Sequence, residues 1–190
     1  MIENKPTERN KTRMLALTAL FAALTAMGAF IQIPVPPAPI SLQFMFTAMA
    51  GCLLGGRWGA VSQLVYVIIG LAGVPVFTAG GGIGYVFHPT FGFLIGFVAA
   101  AFVIGVLKKR TGKGFLSFCI PILAGVFVLY LIGVPYMYII LRFYMGNQIG
   151  FLPLLWSSMI VFLPGEAVKV ASAAFLCSKM LPRLEAITQK

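Results

Sequence analysis

A carboxylate and an ammonium group lie three residues apart in a stretch that is otherwise apolar, VFLPGEAVKV at Val161–Val170. A lone charge at the centre of a spanning helix costs about 2.5–3.5 kcal/mol on insertion scales. Residues i and i+3 share a helix face, so Glu166 and Lys169 are expected to meet or to converge on one ligand. Pro164 and Gly165 weaken the helix just before them, and broken helices at membrane depth usually line a binding site. The pattern favours a ligand site, with a structural ion pair as the alternative.

The other chemistry-bearing residues do not assemble into a catalytic or metal centre. The chain has no Asp, a single His and no G-x-S-x-G nucleophile motif. Nucleophilic and paired-carboxylate mechanisms therefore lack their groups. The three cysteines fall in apolar runs without metal-ligand spacing, and the glycine-rich stretch at 78–89 lacks the Gly-Lys-Ser/Thr ending of a P-loop. The sequence predicts no enzyme, no cofactor and no metal, and it assigns any ATP-driven step to another chain.

Composition indicates a membrane protein. Of the 190 residues, 60% are hydrophobic and 9% are charged, whereas soluble domains are about 45–50% apolar and about 25% charged. Lys and Arg number 14 against four Asp and Glu, which gives a formal net charge of +10. There is too little polar surface for a basic face that binds nucleic acid, so we interpret the positive charges as signals of membrane orientation.

The apolar residues divide into about six runs, which predict an all-α membrane protein in a single integral membrane domain over residues 1–190. A basic N-terminus at 1–13 precedes the first run, and the second is short enough to be bent or tucked among its neighbours. The predicted spans are 14–33, 41–54, 60–76, 90–107, 115–141 and 151–178.

The positive charges alternate between the connections. With the N-terminus inside, the cytoplasmic segments hold twelve Lys and Arg residues, whereas the outer connections hold only Arg142. Lysine and arginine accumulate on the cytoplasmic side of membrane proteins. The bias predicts six spans with both termini in the cytoplasm.

Small residues recur every four positions in the first predicted span, LTALFAALTAMGAF. Alanines at i and i+4 let two helix backbones approach closely, which is a main route to helix association in lipid. The two ridges, Ala19 with Ala23 and Ala22 with Ala26, are candidates for docking a separate membrane protein. Packing inside the chain is the alternative, and the sequence leaves open which ridge faces outward.

Four segments in this order resemble a known family. PISLQF at 39–44, GLAGVPVFTAGGG at 70–82, HPTFGFLIGF at 88–97 and FLPGEAVKV at 162–170 are similar to signature segments of the BioY family, the biotin-specific S components of energy-coupling factor (ECF) transporters. The resemblance runs from about Arg13 to Leu181. The sequence departs from the family at Phe91 and Phe93, where glycine and tyrosine are usual, and at Glu166, where aspartate is usual.

The resemblance implies an S-component bundle of six helices in the bacterial cell membrane that captures biotin from outside. It also implies partners, namely a membrane-embedded T component and two cytoplasmic ATPases that drive release inward. By the same resemblance, S components dock on the T component through small residues in the first helix.

Biotin offers two ureido N–H donors, a ureido carbonyl, an apolar ring and chain, and a carboxylate. We expect Glu166 to accept from the N–H groups and Lys169 to donate to the carbonyl, with Gln43 as a further polar contact. Aromatic side chains should surround the apolar part, and glycine N–H groups and amides should meet the carboxylate. The remaining predicted contacts are Phe77, Tyr85, Tyr144, Gly81, Gly82 and Asn147. The stretch 78–89 is the predicted lid.

Two other functions stay open at the level of sequence. One is a solitary secondary transporter, in which Glu166 couples transport to protons. The other is an S component for a different vitamin, because glutamate in place of aspartate moves the carboxylate by one methylene.

Overall fold

The computed structural model describes residues 8–35, 38–112 and 114–188, and these residues form six α-helices. The helices are α1 Glu8–Phe30, α2 Gln43–Leu54, α3 Gly56–Leu71, α4 Phe91–Lys108, α5 Leu116–Ile139 and α6 Phe151–Thr188. Strand β1 (Gln32–Ile33) pairs antiparallel with β2 (Ile40–Ser41) between α1 and α2. A 3-10 turn at Ile83–Phe87 precedes α4, and a π-helical turn at Ile140–Tyr144 extends α5. Each predicted apolar run is helical over most of its length.

Proline and glycine set the ends of several helices. Helix α1 ends three residues before the predicted limit of its span, because Pro34 has no N–H to bond the Phe30 carbonyl and its ring disfavours helix at Ile33. Only Gly55 separates α2 from α3, and its φ of 81° lies in the left-handed region that favours glycine. The predicted link at 55–59 is therefore a one-residue corner.

Within the described residues, three helices are long and apolar enough to cross a membrane, and a bent fourth passes the same test. The three are α1, α4 and α5 with its π-helical turn, and the fourth is α6, which bends by 45° between Ser158 and Phe162. Helix α2 has 12 residues, which at 1.5 Å per residue reach about 18 Å, short of a hydrocarbon core of about 30 Å. Six spans with cytoplasmic termini remain a prediction.

Glycines bring α2, α3 and α4 into backbone contact. A β-carbon on Gly51 of α2 would lie 2.7 Å from the carbonyl oxygen of Ala101 in α4, and one on Gly56 of α3 would lie 2.8 Å from that of Phe102. A β-carbon on Gly105 would overlap the backbone of Gly56. Small residues permit this close approach, which drives helix association in lipid.

A buried polar cluster links the first three helices. Thr47 of α2 donates to the side-chain oxygen of Gln63 in α3 at 2.9 Å, and the Gln63 amide donates to Thr25 of α1 at 3.2 Å and to Ser62 at 3.0 Å. All four side chains are fully buried. Since each finds a partner, burial carries little penalty, and the cluster fixes the register of α1, α2 and α3.

We predict that Gly105→Leu destabilises the protein by at least about 1–3 kcal/mol, because the added side chain must push apart backbones already in contact. A lower midpoint of thermal unfolding in detergent would show this. The matched control is Gly84→Leu, since nothing lies within 4 Å of a β-carbon built on Gly84. Equal midpoints for the two variants would contradict the packing described here.

Candidate functional site

One pocket receives residues from every helix except α1 and α3. Its cavity volume is about 60 Å³, well below the about 300–1,000 Å³ of typical small-molecule sites, so a ligand of that size requires its walls to move apart. Its lining comes from residues 38–41, α2, the loop before α4, and α4 to α6. The lining residues are Ala38, Pro39, Ile40, Ser41, Gln43, Phe44, Thr78, Thr90, Phe93, Phe97, Leu129, Tyr130, Phe162, Glu166 and Lys169.

The predicted charge pair forms one wall of this pocket. Lys169 Nζ donates to Glu166 Oε1 at 2.5 Å, and each residue is only 6% exposed. The second carboxylate oxygen, Oε2, is buried and has no partner among the described residues. A buried polar atom without a partner costs about 1–3 kcal/mol, more when it is charged. The arrangement therefore leaves one acceptor for a donor that a ligand would bring.

The prediction of a helix break at Pro164 and Gly165 was wrong in position. Helix α6 continues through both residues, and its bend lies one turn earlier, between Ser158 and Phe162. A proline lacks the N–H that would bond the carbonyl four residues before it, here that of Ile160, so the bend falls upstream of the ring. Gly165 instead gives room to Ile40, whose Cγ2 would lie 3.2 Å from a β-carbon there.

Gln43 lies in the pocket wall and is held by two neighbours. Ser41 Oγ donates to its side-chain oxygen at 2.8 Å, and its amide donates to the Tyr66 hydroxyl at 2.5 Å. Tyr66 in turn donates to the Val76 carbonyl at 3.1 Å. The amide is thus fixed in orientation, and its oxygen keeps one lone pair free for a further donor.

A chain of hydroxyl groups links the loop before α4 to the pocket. The Tyr85 hydroxyl lies 3.1 Å from Thr78 Oγ1 and 2.9 Å from Thr90 Oγ1, and Thr90 Oγ1 lies 2.8 Å from His88 Nδ1. Thr78 and Thr90 line the pocket, whereas Tyr85 stands behind them. Phe77 is also outside the lining and packs against Tyr66 and Tyr85. These two aromatic residues support the wall and do not line the pocket.

The glycines predicted to meet the ligand carboxylate are held by contacts within the loop and with the end of α3. Gly82 N donates to the Gly70 carbonyl at 2.7 Å, and Gly80 N donates to Phe77 at 3.3 Å. Gly81 packs against the Val74 carbonyl, where a β-carbon would not fit. None of these glycines lines the pocket. They shape the loop and do not present free N–H groups to the pocket.

Tyr144 and Asn147 lie elsewhere on the molecule. Tyr144 is exposed and stacks on Phe87 with ring centroids 5.0 Å apart. Asn147 lines a separate, open polar depression with Arg142 and Gln148. The structure therefore brings together Glu166, Lys169 and Gln43, and it places the other six predicted contacts outside the pocket.

Several lining residues escaped the sequence analysis. The apolar ones, Phe97, Leu129 and Phe162, are indistinguishable in sequence from ordinary core residues. Tyr130 carried a usable signal, because a hydroxyl in the middle of an apolar helix needs a polar environment. Tyr130 also lines a second, apolar groove on the outer surface between α5 and α6.

The two alanine ridges of α1 face in different directions. Ala19 and Ala23 are exposed, whereas Ala22 is 4% exposed and Ala26 packs against the core. The Ala19 and Ala23 ridge therefore faces outward, and the other ridge packs inside the chain.

Comparisons with known proteins agree with this geometry. The model of the BioY family matches residues 3–186. A probable biotin transporter BioY from Lysinibacillus sphaericus is 51% identical over 145 residues, which cover 74% of this chain and 72% of that protein. A biotin transporter BioY from Rhizobium etli is 36% identical over 177 residues, covering 87% and 91%.

A solved structure shares the fold. The crystal structure of the S-component for biotin from an ECF-type ABC transporter superposes with a TM-score of 0.82 at 29% identity, covering 93% of this chain and 94% of that one. The bundle is thus an S-component fold and the chain is a membrane protein. On the family match and these relatives, the chain belongs to the BioY family.

Proposed function

We propose that this chain captures biotin in the pocket beside Glu166 and Lys169 and carries it across the cell membrane as the substrate-binding component of an ECF-type transporter. The unpartnered Glu166 Oε2 is the observation on which this rests, because a ureido N–H supplies the donor that it lacks. Lys169 Nζ keeps N–H groups free after binding Oε1, so it can donate to the ureido carbonyl.

The rest of the polar wall suits the same head group. The Ser41 hydroxyl donates its proton to the Gln43 side-chain oxygen, so toward a ligand it can only accept. The Gln43 oxygen is an acceptor as well. A wall rich in acceptors with one strong donor matches a ureido group, which has two N–H donors and one carbonyl. A carboxylate in this position would face Glu166 at close range. We therefore place the ureido ring inward and the carboxylate away from the charge pair.

The apolar lining supplies the remaining contact. Phe93, Phe97, Leu129 and Phe162 line the pocket with Phe44, and they are placed to cover the thioether ring and chain. Phe93 stands where the family usually has tyrosine, so this chain contributes a ring without a hydroxyl there. Burial of ligand carbon contributes about 25 cal/mol per Å².

We further propose that transport requires a T component and two ATPases in the bacterial plasma membrane, because the sequence has no nucleotide-binding motif. The exposed Ala19 and Ala23 ridge is the surface we assign to the T component. Both alanines lie on the outward face of α1 with the large exposed side chains of Leu20 and Met27 beside them, and small residues flanked by large ones favour close helix pairing.

We predict that purified protein binds biotin far more tightly than thiamine, riboflavin or niacin. The reason is that only biotin combines two adjacent N–H donors with an apolar ring of this size. Isothermal titration in detergent would measure the four affinities. Tighter binding of another vitamin would assign this pocket to that ligand instead.

We predict that Glu166→Gln and Lys169→Met each weaken biotin binding at least tenfold, about 1.4 kcal/mol. Each change also leaves the other charge buried without its partner, which raises the loss above that of one neutral hydrogen bond. Lys179→Met is the matched control, since Lys179 is exposed on the same helix. If both variants fold and bind biotin with wild-type affinity, the ion pair stabilises the helices and does not bind the ligand.

We predict that Ala19→Leu with Ala23→Leu abolishes ATP-dependent uptake and co-purification with the T component, yet leaves biotin affinity within about threefold, roughly 0.65 kcal/mol. The larger side chains hold the partner helix away while the pocket stays intact. Ala167→Leu with Ala171→Leu is the control, because these alanines have the same spacing and exposure on α6. Normal uptake and co-purification by the Ala19 and Ala23 variant would place the docking surface elsewhere.

A further inference from the structure

The single histidine of the chain lies at the edge of the pocket without lining it. His88 follows the 3-10 turn and is half-buried, with its ring stacked on Tyr85 at a centroid distance of 4.7 Å and an interplanar angle of 23°. Its Nδ1 atom lies within hydrogen-bond distance of Thr90, a residue that lines the pocket.

The protons around Nδ1 can be assigned from the contacts. The backbone N–H of Thr90 donates to Nδ1 at 3.3 Å. An amide N–H can only donate, so Nδ1 is an acceptor and the neutral ring carries its proton on Nε2. Burial lowers the pKa of His88, which favours this neutral form. Thr90 Oγ1, 2.8 Å from the same Nδ1, must then donate its own proton to the ring.

This assignment fixes the donor and acceptor of every hydrogen bond between Thr78, Tyr85, Thr90 and His88. Since the Thr90 proton points at His88, the Tyr85 hydroxyl 2.9 Å away must donate to Thr90 Oγ1. Thr78 Oγ1, 3.1 Å from the Tyr85 oxygen, must in turn donate to Tyr85. Every hydroxyl proton thus points toward His88 and away from the pocket. Thr78 and Thr90 are left with lone pairs only.

We propose that His88 is a positioning residue that sets the hydrogen-bond polarity of this wall, so that Thr78 and Thr90 accept protons and the pocket selects ligands carrying N–H donors. It acts through Thr90 and Tyr85 without touching the ligand. The inference rests on the proposed function, because the selected donors are the ureido N–H groups of biotin.

Protonation of His88 reverses the direction of these hydrogen bonds. An Nδ1–H group becomes a donor, so Thr90 Oγ1 must accept from it and turn its own proton toward Tyr85 or the pocket. Thr78 is then free to point a proton at the ligand, where it opposes an N–H group. Affinity for biotin is therefore expected to fall as the pH is lowered through the pKa of His88.

The other titratable groups around His88 are few. Tyr85 stacks on its ring, Tyr136 of α5 bonds the Val86 carbonyl, and Tyr144 stacks on Phe87. Glu166 and Lys169 line the pocket and pair with each other, and the variants of His88 separate any effect of that pair from the effect of the ring.

The test compares biotin affinity between about pH 8 and about pH 5 for three proteins purified without a histidine tag. Wild type should lose about tenfold in affinity at the acid end. His88→Phe keeps a ring on Tyr85 but offers no acceptor, so its affinity should be about tenfold lower at neutral pH. His88→Asn places a non-titrating oxygen near the position of Nδ1, so it should recover affinity to within about threefold of wild type and lose the pH dependence.

A spectroscopic measurement on wild type complements the variants. Because the chain has one histidine, the ¹⁵N resonances of labelled His88 report its tautomer directly, and the Nε2–H form is expected at neutral pH. An Nδ1–H tautomer would overturn the inference. So would an unchanged pH dependence in His88→Asn, or a flat pH profile in wild type, and each of these leaves biotin capture intact. Failure of wild type to bind biotin at any pH would remove the proposed function as well.

Discussion

An ion pair held almost dry inside an apolar bundle is the constraint on which the rest of the site depends. Removing two charges from water costs several kcal/mol per ion, and mutual attraction repays this only when the remaining hydrogen-bonding capacity is met. Lys169 satisfies one oxygen of Glu166 and leaves the other without a partner. The pocket is therefore incomplete on its own, and a ligand that donates to Glu166 also completes the solvation of the pair.

The neighbouring polar groups support this arrangement from three segments. Ser41 ends β2, Gln43 begins α2, and Thr78 and Thr90 lie in the loop before α4. All four line the pocket. Their supports, Tyr66 and Tyr85, are buried behind them. A second layer of this kind holds pocket groups in one orientation, which lowers the entropic cost of binding. The orientation of the pocket groups then depends on residues that do not line the pocket.

Sequence predicted the helical class, the rough positions of all six helices and the charge pair, because apolar length and buried charge leave strong local signals. The end of α1 before Pro34 and the start of α3 after Gly55 differ from the predicted limits by a few residues, because proline and glycine act on the backbone there. Gly81, Gly82 and the aromatic residues Phe77 and Tyr85 lie outside the pocket lining, since sequence does not reveal which atoms of a loop already have partners within the protein. Tyr130 joins the pocket only through the packing of α5 against α6.

Tyr130 lines both the pocket and the apolar groove on the outer surface between α5 and α6. In a bilayer this face meets acyl chains, so the Tyr130 side chain lies between the pocket and the hydrocarbon. A change in lipid packing against α5 and α6 can thus shift Tyr130 and with it the wall of the pocket. An affinity measured in a detergent micelle consequently reflects that detergent as well as the protein, and nanodiscs of defined lipid composition provide the appropriate reference state.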